Sequence, residues 1–137
     1  MARRDSVLGM EHYVIATVAE QSPDFRRVLW TGKHTQLVIM TVPAGGEIGE
    51  EIHHVDQILT FVSGVGKAIV GGETRTVQQG DLVVVPAGVQ HNFVNDGPNP
   101  LVLHTVYGPP EHADGAVHKT KEEADSLEEA GLDNPPA

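Results

Sequence analysis

The chain has 137 residues, nine basic against nineteen acidic side chains for a formal charge of −10, eight histidines and no cysteine. That length holds one domain with a short tail, and buries roughly two-thirds of the surface of the unfolded chain. The charge makes nucleic acid and anionic membrane poor partners, since both need a positive face, and the missing cysteines remove disulfides, thiolate metal sites and cysteine nucleophiles.

Residues 1–24 are expected to form an N-terminal arm with one strand, HYVIATVA. The basic start is broken by Glu11 and His12 and lacks a small-residue cleavage site, so it reads as mature chain and not as a signal peptide. No stretch reaches the ~18 apolar residues of a membrane span. A cytoplasmic location fits these features.

Residues 25–110 read as a β-barrel. The runs RRVLW, TQLVIMTV, ILTFV, KAIV, TRTV, LVVV, NFV and LVLHTVY are rich in Val, Ile, Leu and Thr, and Gly, Pro, Asn and Asp separate them. Gly71-Gly72 is a two-residue hairpin signal. Many short strands without intervening helices point to an all-β sandwich or barrel. Residues 111–137 read as a loop, an acidic helix over 119–131 and a frayed end, DNPPA. Thr120 with Glu123 three residues on is a capping box, and Gly131 suits the C-terminal cap.

Two segments carry the chemistry, GGEIGEEIHHVDQILTFVSG (45–64) and GDLVVVPAGVQHNFVN (80–95). Together they resemble the two conserved motifs of the cupin superfamily, and the chain is similar to its small single-domain, RmlC-like members. Gly80, Pro86, Gly88, His91 and Asn95 match the second motif at every position. The first motif keeps its spacing from Gly45 to Gly64, with His53 in place but Glu51 where the family has a His and Gln57 where it has a Glu. The resemblance implies a double-stranded β-helix, or jelly-roll, barrel with a short C-terminal helix. It also implies one divalent ion held by Glu51, His53, Gln57 and His91.

Glu51 and His53 alternate along an extended chain, which puts them about 6.6 Å apart on one face and turns His54 and Asp56 away. Two His and one carboxylate resemble the donor set of non-haem iron(II), while Mn, Zn, Ni or Cu are equally compatible. In the other reading the barrel has no metal, and these four residues bond to each other or to an organic ligand. Phe93, His104 and Tyr107 are candidates to line a small-molecule pocket, with Glu51 as the proton-handling residue. Dioxygenation and isomerisation both occur in the superfamily, as does ligand storage without turnover, and a homodimer is expected from the resemblance. Arg26 and Arg27 read as packing and dimer contacts.

Overall fold

The computed structural model describes residues 9–137; the first eight residues of the expected arm lie outside that range. Eight strands fall on the eight runs read from the sequence: β1 (Arg26–Thr31), β2 (Gln36–Val42), β3 (Asp56–Ser63), β4 (Val65–Val70), β5 (Glu73–Gln78), β6 (Leu82–Val85), β7 (His91–Val94) and β8 (Leu101–Gly108). A short ninth, β9 (Val117–His118), had no sequence signal and pairs with β1 at the sheet edge. They form two antiparallel sheets, β6-β3-β8-β2-β1-β9 and β5-β4-β7, in a jelly-roll arrangement.

Period-two alternation determines what the barrel encloses. Val38, Met40 and Val42 on β2, Leu59 and Phe61 on β3, Phe93 on β7 and Leu101, Leu103 and Tyr107 on β8 belong to one buried cluster. The β4–β5 connection is the two-residue hairpin expected, with φ of +57° at Gly71 and +83° at Gly72, values that favour glycine at both positions. Gly64 is required for a second reason. Its φ is +87°, and a Cβ there would lie 2.3 Å from the carbonyl oxygen of Pro100.

The N-terminal segment departs from expectation. The run read as a strand instead contains a helix, α1 (Ile15–Gln21). Ala19, with Tyr13, Ile15 and Val18, packs on Leu29, Ile39, Val62 and Val102, which form the outer face of the large sheet. Spacing of three and four residues suits a helix lying on that face, and no side chain caps its start, so packing rather than propensity holds it.

The acidic helix forms as α2 (Lys121–Glu129). Thr120 Oγ1 accepts the Glu123 N–H at 3.1 Å. At the other end the N–H groups of Gly131 and Leu132 donate to the carbonyls of Glu128 and Leu127, a Schellman closure that needs the φ of +71° at Gly131. The end beyond it is not frayed throughout. Asp133 is buried, and its carboxylate receives the ring Nδ1 of His112 at 2.7 Å and the N–H of Ala113 at 2.9 Å.

Candidate functional site

The second motif is a brace for the first. Pro86 to Val89 make a turn closed by the Val89 N–H on the Pro86 carbonyl, with Gly88 at φ +85°. The Gly88 N–H donates to the His53 carbonyl at 2.7 Å, and Asp56 accepts the Ala87 N–H at 2.9 Å. Glu51 and His91 exchange backbone hydrogen bonds, each 2.9 Å. Asn95, fully buried, donates to the carbonyls of Val42 and Asn99 and closes the next loop. Four motif positions, Pro86, Gly88, His91 and Asn95, thus fix the backbone on which Glu51, His53 and His91 stand.

Alternation from Glu51 to Gln57 places the side chains as expected. His53 and Gln57 are buried, while His54 and Asp56 face solvent. Glu51 Oε2 and His53 Nε2 are 2.5 Å apart, and the His53 and His91 ring centres 4.9 Å. Burial alone would raise the Glu51 carboxyl, but the hydrogen bond and charge of His53 outweigh it and hold the group below the usual carboxylate range. Burial likewise pushes His53 down, yet Glu51 and then Glu111 reverse this and raise it. Both shifts favour the charged forms, carboxylate and imidazolium. His91 differs: burial lowers it, and its Nδ1 must carry the proton, because it donates to the Val89 carbonyl at 2.9 Å. That leaves its Nε2 with a free lone pair.

Gln57 donates its Nε2 to Thr105 Oγ1 at 3.2 Å and to Tyr107 Oη at 3.1 Å, and its Oε1 is buried with no hydrogen-bond partner among the described residues. Tyr107 packs near two histidines, with ring centres 5.8 Å from His53 and 5.0 Å from His112, and its hydroxyl is pushed far up by complete burial. Phe93 packs inside, 6.1 Å from the His91 ring and 5.9 Å from that of Phe61. His104 does not join them. It alternates with the inward Leu103 and Thr105 on β8, pairs with Ile39, and so lies on the outer face that carries α1.

Several residues of the interior were not picked out from the sequence. Glu111 brings Oε2 to 3.7 Å from His53 Nε2, and burial raises its carboxyl. It is a second carboxyl beside His53, next to Glu51. Arg26, read as a packing residue, is buried, and its charge acts on Glu51, His53, Tyr107 and His112. His112 and Asp133 arrive from the tail. An opening of about 580 Å³, lined by Ile48, Gly49, Glu51, Lys121, Asp125 and Glu128 among others, leads from solvent to Glu51.

Among the described residues no group of three or more His, Asp and Glu side chains is arranged as an ion cage. The four expected ligands nevertheless suit a divalent ion in kind. Gln57 Oε1 is an unsatisfied buried acceptor, His91 offers a lone pair, and Glu51 and His53 are joined by a single proton that an ion can replace. No helix among the described residues is long and apolar enough to cross a membrane.

Residues 38–107 match the family described as the cupin domain, Cupin_2. The Bacillus subtilis protein YrkC is 41% identical over 122 residues, which is 84% of this chain and 66% of YrkC. The chain thus spans just under two thirds of that relative's length. The crystal structure of BH2720 from Bacillus halodurans superposes with a TM-score of 0.85 at 36% identity, covering 87% of this chain and 96% of that one. An RmlC-like cupin from Shewanella frigidimarina gives a TM-score of 0.58 at 25% identity, over 62% and 75% of the two chains.

Proposed function

The chain belongs to the cupin family, and on that premise we propose that it binds one divalent ion inside the barrel, through Glu51, His53, Gln57 and His91, and acts there on a small molecule. The observation that carries this reading is the orphaned Gln57 Oε1, a buried acceptor in the same interior as three further ligand-type side chains. An ion bound there supplies Lewis acidity toward an oxygen of the ligand. The protein's part is to orient and exclude. Val89 holds His91 in the tautomer with a free Nε2, Thr105 and Tyr107 hold Gln57 with Oε1 free, and Phe93 and Phe61 keep the floor of the site dry. Glu51 and His53 give up the proton they share, so affinity for the ion falls as pH falls. The chemistry is of the dioxygenase or isomerase type. The domain limits of an arm over 1–24, a barrel over 25–110 and a tail over 111–137 belong to the same proposal, as does a homodimer. Exposed Ile58, Leu82 and Val84 on β3 and the edge strand β6 support the latter.

A second reading has its own support. The direct Glu51–His53 bond satisfies two ligand atoms without an ion, as a non-catalytic cupin holding an organic molecule would do. Metal analysis of untagged protein purified without chelator separates the two. About one equivalent of Fe, Mn, Zn, Ni or Cu, lost in His91→Ala and kept in His54→Ala, is expected. A metal-free protein whose melting temperature ignores all five ions would overturn the first reading in favour of the second.

A further inference from the structure

The ion-binding proposal leaves two buried polar groups of the interior without a task. The first is Arg26, 4% exposed. On β1 it shares the inward face with Val28, and its ladder partner Met40 belongs to the barrel's buried cluster. Its Nε has no hydrogen-bond partner among the described residues, and no described carboxylate forms an ion pair with it. A buried guanidinium with an unsatisfied donor is costly unless an anion completes it.

The second is His112. Gln36 clamps its backbone on both sides, accepting its N–H at 2.9 Å and donating to its carbonyl at 2.8 Å. Its Nδ1 is committed to Asp133 at 2.7 Å, and its Nε2 is buried with no partner among the described residues. Burial, reinforced by Arg26, holds the ring below the ordinary histidine value. A neutral ring whose Nδ1–H donates to a carboxylate keeps a lone pair on Nε2, which accepts a hydroxyl and not another anion. Its ring centre lies 5.0 Å from that of Tyr107, which is itself 5.8 Å from that of His53.

We propose that the barrel binds a small hydroxycarboxylate, its carboxylate on Arg26 and its hydroxyl on His112 Nε2. This rests on the interior being the ligand site. A carboxylate fits better than a phosphate, because Arg26 is one positive charge in an interior whose charges on Tyr107 also include the carboxyls of Glu51, Glu111 and Asp133, and a second negative charge would find no partner. The acidic rim of the opening at Glu51, with Glu47, Glu50 and Asp125, disfavours an anion's approach from that side.

The test titrates lactate into the full-length protein, with propionate lacking the hydroxyl and lactamide lacking the charge. Calorimetry and the ¹⁵N resonance of the Arg26 Nε–H are read, on metal-loaded and chelator-treated samples. Lactate is expected to shift that resonance and to bind at least tenfold tighter than either analogue. Arg26→Gln should weaken lactate at least tenfold with its bound metal unchanged, and His112→Asn should erase the preference for lactate over propionate. Equal binding of lactamide overturns the proposal, as does a silent Arg26 resonance or no binding of lactate and glycolate at all. The resonance is read on the unmutated protein, so the outcome stands even where a variant fails to fold. Lactate binding by a protein that takes up none of the five ions would refute the ion proposal alone, and ion uptake without lactate binding would refute this one alone.

Discussion

Gln36→Leu tests whether one buried amide holds the tail to the barrel. Gln36 is fully buried on β2, its Nε2 donating to Thr31 Oγ1 and the His112 carbonyl, its Oε1 accepting the N–H groups of Glu111 and His112 at 3.0 and 2.9 Å. Leucine nearly keeps the volume, so the cost falls on the three backbone groups left behind. Each costs about 1–3 kcal/mol if it stays buried and unpaired. The Glu111 N–H is only partly buried and can turn to water. The loss should therefore be about 3–5 kcal/mol, a large share of the roughly 5–15 kcal/mol available to a domain. At about 3 °C per kcal/mol for a chain of this size, melting should fall by about 10–15 °C. Urea and thermal unfolding followed by circular dichroism measure this. Cleavage after Glu111 by a glutamate-specific protease should appear well below the unfolding midpoint. A loss under about 1 kcal/mol, with Glu111 as protected as before, would refute the reasoning and mean that water replaces the amide.

Three further changes follow from local geometry. Gly64→Ala forces a side chain into a φ of +87° and against the Pro100 carbonyl, and should cost at least about 3 kcal/mol in chemical unfolding, or prevent folding. Thr120→Ala removes the cap of α2 and should cost about 1 kcal/mol, with hydrogen exchange faster in its first turn and unchanged in the barrel. Acid should weaken the fold. His91, His104, His112 and His118 are all held below the ordinary histidine value, burial being the main cause, so the unfolded chain takes up protons first as pH falls through about 6.5. His53, held high by Glu51 after burial is overcome, runs the other way, adding stability below that pH and losing it as pH rises through its folded value. Four against one predicts that unfolding free energy in chelator-treated protein drops between pH 7 and 5. A flat or rising profile would contradict the buried, neutral state of these rings.

Much of this protein was legible before folding. Eight strands lie where runs of Val, Ile, Leu and Thr end at turn residues, and the Gly71-Gly72 hairpin needed only two left-handed residues. These are local properties, carried by neighbours in the chain. The same period of two separated His53 and Gln57 from His54 and Asp56. Applied to β8 it would also have excluded His104, which is an odd number of residues from Tyr107 and cannot share its face. The capping box and Gly131 announced α2 in the same local way.

What the chain could not announce depends on contacts between distant segments. The N-terminal run has the residues of a strand, and became a helix because the outer face of the large sheet offered Ile39, Val62 and Val102 to cover. Gln36 reaches a partner 76 residues away, and Asp133 one 21 residues away, so nothing near His112 in sequence shows that its ring enters the barrel. Arg26 looks like any charged residue on an edge strand until the register with Met40 turns it inward. The strands and their turns follow from residue order alone, because periodicity and turn chemistry act over a few residues, while the histidine and carboxylate set of the two motifs was implied by the family resemblance. Arg26, Glu111, His112 and Asp133 join the interior only when the barrel closes, because closure is what brings the first strand and the tail near Tyr107.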